Sequence, residues 1–546
     1  MISAQLRWRS RVHSDEDSKS LAMRGLTHGR RRSRWARGLR LGVVLILGAT
    51  MLSAFGGRAD ASSPTSGGSL TVLENSIGEW PVGLDPATNT SDLADAPYMN
   101  SIFGTLFDVG PSGKLVGNLA SGYKFVDGGK GFEISLRHGV TFTDGTPLDA
   151  QVVKWNITRD LLPANGCICD SNFPVASVST PNRYTVILNL KQVFAQIGYA
   201  FMGAAPNWIA SETAEQKMGE KAFELKPVGA GPFEVVSNSP NTKLVLKRNP
   251  SFWEKGHPEL NSLTFEIVGS DASAYDAVLS GQAQVYQNYT TYTNLKSLSK
   301  TVKVGETGSP GPYDIQFNTT MPPFNNMLAR EAIYYATNAA PISKTLAAGN
   351  GTVVENMTVP GGLYYEQKVP GYRSYDLAKA KALVKQLGGL NFTLTNAISP
   401  ASNNIVAALA SEWAKAGINA RLNDVTLTQI IQIFFANNRK GSWQAIQQNA
   451  GGLDPVIPDG LDFRFLSASP FTGIHDPKLD ALAARAEATL DPEKQKQIYD
   501  QIWKYMNDMA YGPFLFNVPT MNLYTPSVSG ITGNLYGIRW QNVSVH

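Results

Sequence analysis

Phe132, Ile134 and Leu136 alternate with Glu133, Ser135 and Arg137, the period-two pattern of a strand with one buried face. Tyr184 to Leu190 and Lys243 to Lys247 repeat that alternation and predict two further strands. Turns at His138-Gly139 and Asp144-Gly145 follow the first strand. Thr146-Pro147-Leu148-Asp149 then opens a helix whose apolar positions are Val152, Val153, Trp155 and Ile157. Past residue 320 the pattern turns helical, over Met327 to Thr337, Asp376 to Leu387, Asn404 to Ala416, Pro477 to Leu490 and Pro492 to Met509. Gly388 and Gly417 stand where left-handed C-terminal caps are needed, and Asp476-Pro477 and Asp491-Pro492 pair a capping carboxylate with a proline in the first turn. Strands return at Pro513 to Val518 and Met521 to Tyr524. Strands, then helices, then strands predict an α/β or α+β protein whose last strands rejoin its first domain.

The N-terminal segment reads differently. The basic run from Arg30 to Arg40 precedes an uncharged stretch from Leu41 to Phe55, then the small-x-small site Ala59-Asp60-Ala61. The apolar stretch is shorter than the roughly 20 residues of a membrane span, so residues 1–61 are expected to be a signal peptide. An uncleaved signal anchor is the alternative, and Met23 is a second candidate start. Ser62 to Ser69 reads as a flexible tether, with folding beginning near Leu70. The body is then expected on the outer side of the cell membrane. The first Cys is Cys167, so no lipid-anchor cysteine follows the signal. Cys167 and Cys169, one residue apart, are either a tight candidate disulfide or two free thiols.

The 546 residues are enough for two or three domains. The formal charge of +4 is misleading, because twelve of the 48 basic residues but only four of the 44 acidic ones lie in residues 1–61. The remainder is net acidic, which argues against a nucleic-acid partner.

Enzyme signatures are missing from the sequence: it has no G-x-S-x-G elbow, Walker loop, G-x-G-x-x-G or H-E-x-x-H. His138, His257, His475 and His546 are scattered without ligand spacing, and no cofactor or metal is expected. Acidic groupings at Asp454, Asp459 and Asp462, and at Asp476 and Asp480, leave open a secreted hydrolase built on a carboxylate pair. Turn formation and helix capping account for them more simply.

Six ordered motifs carry a resemblance. They are Gly83-Leu84-Asp85-Pro86-Ala87; Ile102 to Leu106 followed by Gly113 to Ala120; Phe132 to Val153 (FEISLRHGVTFTDGTPLDAQVV); Val228 to Phe233; Leu246 to Trp253; and Pro323-Phe324 with Arg330 to Ala336. Together they resemble the large extracytoplasmic solute-binding proteins of ABC importers, the peptide/nickel-binding family called family 5. The resemblance covers about Leu70 to Tyr524. It implies an α/β, two-lobed periplasmic-binding-protein-like fold of the large type II kind, with an extra domain, closing over a solute in a cleft. Lobe one would comprise 62–106, 227–310 and 518–546, the extra domain 107–226, and lobe two 311–517. It also implies a monomer that is no enzyme and that delivers an oligopeptide or similar solute to an ABC permease in the membrane. An oligosaccharide or other non-peptide ligand is the alternative.

By position, three segments resemble cleft linings: Tyr286, Gln287, Asn288 and Tyr289; Gly308 to Tyr313; and Trp443 to Asp454 with Gln447, Gln448, Asn449 and Asp454. The third departs from the family. Peptide-binding members carry a Trp and then an Asp ahead of the D-P pair, the Asp pairing with the peptide's amine. Here Gln448 and Gly451 stand at those places. Either Asp454 takes over or the ligand lacks a free amine there. Arg439, Lys440 and Arg464 are candidate carboxylate anchors.

Overall fold

The chain enters on strand β1 (Ser69–Asn75) and continues into helix α1 (Ala96–Phe103). A four-strand segment follows: β2 (Ala120–Val126), β3 (Gly131–Leu136), helix α2 (Ala150–Asp160), β4 (Val175–Asn182) and β5 (Thr185–Leu190). Then come β6 (Phe233–Ser239), β7 (Lys243–Arg248), β8 (Ser262–Val268), α3 (Asp271–Ser280), β9 (Val285–Tyr289) and β10 (Lys303–Thr307). The helix-rich part holds β11 (Pro312–Phe317), α4 (Met327–Ala336), α5 (Ala339–Leu346), β12 (Thr352–Val353), α6 (Leu377–Gln386), β13 (Leu390–Ala397), α7 (Pro400–Ala414), β14 (Ile418–Val425) and β15 (Ala445–Asn449). It ends with α8 (Leu461–Phe465), α9 (Pro477–Glu487), α10 (Pro492–Asp508), β16 (Phe514–Asn517) and β17 (Thr520–Tyr524). This computed structural model describes residues 67–546 except 76–82, 89–94, 111–112, 163–172, 290–291, 310, 427–428, 431, 434–442, 450–459, 469–472 and 535–536. The signal segment 1–61, Cys167, Cys169, Arg439, Lys440, Gly451 and Asp454 therefore lie outside the described residues. Ser62–His546 is one unit, separate from Met1–Ala61.

Three main sheets organise the described residues. A seven-stranded sheet has the order β10-β17-β9-β1-β8-β7-β6, a six-stranded sheet β12-β16-β11-β15-β13-β14, and a four-stranded sheet β2-β3-β5-β4. In the first, β1 pairs parallel with both β8 and β9, while β17 closes antiparallel on β9 and β10. In the second, β13 pairs parallel with β14 and β15. Parallel neighbours require crossover helices, and α3 and α7 supply them. The two larger sheets are joined twice, where β10 runs into β11 and where β16 runs into β17.

Local chemistry sets the helix boundaries. Asp149 caps α2 by accepting from the N–H groups of Gln151 and Val152. Asp476 and Asp491 do the same for α9 and α10, each with proline in the first turn. Gly388 and Gly417 adopt φ of 70° and 82°, the left-handed conformation that ends α6 and α7. The glycines of Val228 to Phe233 are there for close approach: a Cβ on Gly229 would sit 2.3 Å from the Ile102 carbonyl oxygen. That loop packs directly under the end of α1 and joins the four-stranded sheet back to the seven-stranded one.

The four-stranded unit also touches the helical part. The Ala195 N–H donates to the Glu487 carbonyl at 2.7 Å, and the buried Gln196 amide donates to the Tyr499 hydroxyl at 2.6 Å. Trp253 packs against this unit's core with the Arg137 guanidinium 4.3 Å over its ring, a structural role.

Candidate functional site

The crossover helices start on the same space. Helix α3 follows β8 and is capped by Ser270, whose hydroxyl accepts the Ser273 N–H at 3.2 Å. Helix α7 follows β13 and is capped by Ser399, which accepts from Ser402 at 3.1 Å. Both first turns open on a cavity of about 810 Å³ lying between the seven- and six-stranded sheets. From the first side come Asp271, Ala272 and Tyr275 of α3, then Tyr292, Asn294 and Leu298 beyond β9. From the second come Tyr313 of β11, Leu346 of α5, the first turn of α7 with Asn404 and Ile405, and Phe516 and Val518 flanking the crossing to β17.

The cavity's chemistry is that of a binding cleft. Two helix N-termini bring partial positive charge to it, and one carboxylate, Asp271, brings negative charge. No Lys or Arg stands among its described lining residues. Tyr313 and Phe516 form a tilted pair with ring centroids 5.4 Å apart. Burial pushes the Tyr292 phenol well above its ordinary value, and the neighbouring Tyr313 and Asp271 add to the rise. Burial alone does the same to Tyr313. Both phenols therefore stay neutral and offer hydroxyl and ring together. Apolar walls with a few polar groups are the usual make-up of a small-molecule site.

Of the residues singled out from sequence, Tyr313 lines this cavity. Tyr286 is fully buried in the core beneath α3, and its hydroxyl donates to Asp271 Oδ1 at 2.5 Å, so it supports the cavity wall from behind. Gln287 is buried on the opposite face of β9 with its Oε1 unpartnered. Asn288 has φ of 59° at a bulge in the β9–β17 pairing, and Tyr289 is paired there with Met521.

Gln447, Gln448 and Asn449 lie opposite Ile315, Asp314 and Tyr313 in the β11–β15 ladder. The Gln448 amide is committed within the fold: its nitrogen donates to Gln316 Oε1 at 3.1 Å, and its oxygen accepts from Arg464 at 2.6 Å. Arg464 is buried and also donates to the Asn449 carbonyl at 3.0 Å, so this cation is tied into the sheet. The Gln447 amide nitrogen donates to the Gln448 carbonyl at 2.7 Å. Asp314, buried beside them, has both carboxylate oxygens unpartnered. Burial pushes it up to about 7 against the pull of Arg464.

Sequence reasoning missed Asp271, Tyr275, Tyr292, Asn404 and Phe516. The available signals were Gly269-Ser270-Asp271 after an alternating run and Ser399-Pro400 before an apolar one. Both are helix starts at strand ends, where open α/β sheets place their ligands.

The described residues contain no group of three His, Cys, Asp or Glu that could hold a metal ion, and no helix long and apolar enough to cross a membrane. Asp462 and Glu487 form a carboxyl pair away from the cavity. Burial raises both, to about 6 and about 8, and Asp271 is the one acid among the described lining residues.

Comparison with known proteins agrees with this architecture. The glutathione-binding protein GsiB of Salmonella paratyphi A is 27% identical over 442 residues, spanning 77% of this chain and 85% of the relative. The substrate-binding protein CtaP of Listeria monocytogenes superposes with a TM-score of 0.76 at 19% identity, over 88% of this chain and 99% of that one. The oligopeptide-binding protein AppA of Bacillus subtilis, solved with a nonapeptide, superposes with 0.72 at 18% identity, over 89% and 100%. Residues 114–469 match the family described as bacterial extracellular solute-binding proteins, family 5 Middle. The chain belongs to that family, the periplasmic or extracellular binding components of ABC importers, which hand small solutes to a membrane permease and are not enzymes.

Proposed function

We propose that the solute is a short peptide, taken up in the cavity between the two larger sheets. The observation that carries this reading is the cavity itself, which sits beside the two chain crossings and is walled from both sheets by neutral phenols and helix starts. A relative named for glutathione binding and a structural neighbour named an oligopeptide-binding protein support it. In this reading residues 62–106, 227–310 and 518–546 move as lobe one with the extra domain 107–226, and 311–517 as lobe two. Closure on ligand then creates the form a permease recognises. The protein acts as a monomer without a lipid-anchor cysteine.

Within this reading Tyr313 contacts ligand directly. Tyr286 acts through Asp271. Gln287, Asn288 and Tyr289 at the end of β9 and Gln447, Gln448 and Asn449 on β15 remain candidate contacts in the closed form, and Asp454 remains a candidate by sequence alone. The test is a thermal-shift screen of the protein against free-amine tripeptides, N-acetylated tripeptides and oligosaccharides. A ligand at 100 times its Kd stabilises by about 2.7 kcal/mol. Stabilisation by the peptides and not by the sugars is the expected result; stabilisation by the sugars alone would replace the peptide with an oligosaccharide.

A further inference from the structure

Glu74 is the last residue but one of β1. It is buried, its Oε2 accepts from the Tyr98 hydroxyl, and its Oε1 has no partner. Two other buried acids have a cation at hand: Asp85 pairs with Arg159, and Glu355 with Lys368 at 2.7 Å. The charged neighbour that acts on Glu74 among the described residues is instead another acid, Asp95, at the N-cap position of α1. The whole stretch from Ser69 to Gly113 contains six acidic residues and no Lys, Arg or His. A buried carboxylate with no counter-charge is costly.

A second observation points the same way. In the seven-stranded sheet Leu73 pairs with Tyr286, and Tyr286 with Leu523. All three side chains belong to the core under α3. The neighbouring positions Glu74, Gln287 and Asn522 therefore project from the opposite face, side by side on β1, β9 and β17. All three are buried, and each has an unpartnered oxygen: Glu74 Oε1, Gln287 Oε1 and Asn522 Oδ1. The row ends at the crossing to the second sheet, where the Asn522 amide donates to Thr307, the last residue of β10, at 2.8 Å.

Three adjacent acceptors, one of them an acid with no cation, describe a group with several N–H donors and a positive charge. We propose that Glu74, flanked by Gln287 and Asn522, is the seat for a protonated nitrogen of the ligand. This rests on the peptide reading, which supplies such a nitrogen in the free α-amine. Asp95 adds attraction, and Tyr98 fixes the Glu74 carboxylate. Among the described residues these two are the titratable groups that act on Glu74, and burial holds it at about 7 in the unliganded protein. An incoming ammonium favours the ionised carboxylate, so binding at pH 7 releases protons.

The experiment titrates the full chain with tri-alanine and with N-acetyl-tri-alanine, in two buffers of different ionisation enthalpy. The expected result is tight binding of tri-alanine with proton release at pH 7, and at least tenfold weaker binding of the acetylated form without it. Glu74→Gln keeps the shape and the acceptor for Tyr98. It is expected to weaken tri-alanine binding by about 30-fold or more, in line with unpairing a buried charge, and to leave the acetylated form unchanged. Equal binding of the two probes by the wild type, absence of proton release, or equal weakening of both in Glu74→Gln overturns the proposal. The proton measurement needs no variant, so it decides even if Glu74→Gln does not fold. Binding of the acetylated probe alone overturns this proposal and leaves the peptide reading standing, whereas binding of neither counts against both.

Discussion

The Tyr286 hydroxyl donates to Asp271 Oδ1 at 2.5 Å, tying the buried middle of β9 to the first turn of α3. A residue with no surface of its own thereby orients the one acid that lines the cavity among the described residues. Tyr286→Phe removes the bond without changing the packing. It is expected to cost about 1.5–3 kcal/mol, the usual net contribution of a hydrogen bond to a charged group. Urea denaturation checks the stability, and a parallel drop in peptide affinity checks the link to the cavity. A variant as stable as wild type would show that the contact carries no load.

Gln196 and Tyr499 join the four-stranded unit to α10 through a buried bond of 2.6 Å. Tyr499 also stacks on Tyr364 with centroids 4.1 Å apart, so the hydroxyl is held in place. A double-mutant cycle of Gln196→Leu and Tyr499→Phe is expected to give a coupling of about 0.5–3 kcal/mol. Additive effects would mean that the two units dock without this contact.

Stability should depend on pH with an unusual sign near neutrality. An acid whose pKa is higher folded than unfolded holds more protons in the folded state between the two values, so stability falls as pH rises through that window. Glu74 and Asp314 are both pushed up to about 7 by burial. Their contribution is complete below about pH 4 and is lost as pH rises through 7. Asp314→Asn is expected to raise the unfolding free energy at pH 8, by an amount on the order of a few kcal/mol, and to leave it nearly unchanged at pH 4, as read from urea denaturation at each pH. Equal effects at both pH values would contradict the assignment.

Gly229→Ala tests whether the Val228 to Phe233 motif is structural. The added methyl would stand 2.3 Å from the Ile102 carbonyl oxygen and 2.5 Å from the Phe103 Cα. Backbone must move, and overpacking of this kind costs about 1–3 kcal/mol or more. Expression and thermal denaturation report it, with ligand preference expected to be unchanged in whatever protein folds.

How far the sequence could be read differs between scaffold and site. The strand at Gly131–Leu136 and the helix at Ala150–Asp160 match their patterns because alternation and an Asp cap are local signals. Helix α7 begins at Pro400, four residues ahead of the expected Asn404, because Ser399 supplies the cap and the Pro-Ala-Ser-Asn turn carries no apolar residue that faces the core. The helix at Ala339–Leu346 and the parallel strand β14 were not anticipated. The strand's mostly exposed residues, Arg421 and Asn423 among them, break the alternation. The cavity was least legible. Tyr292, Asp271 and Asn404 are far apart in the chain and meet through two separate crossovers, which no local pattern encodes. Gln448 looked available because the ladder that engages it, through Gln316 and Arg464, is equally non-local.

The most direct test of a peptide cleft between the two larger sheets is calorimetric titration of di- to tetrapeptides into the wild type and into Tyr313→Ala. Tyr313 is partly exposed to the cavity and makes its ring contact with Phe516 there, so truncation should spare the fold while removing a wall. The account predicts saturable peptide binding by the wild type and at least a tenfold loss in Tyr313→Ala. Peptide binding that is indifferent to Tyr313, or no binding of any peptide, would contradict it.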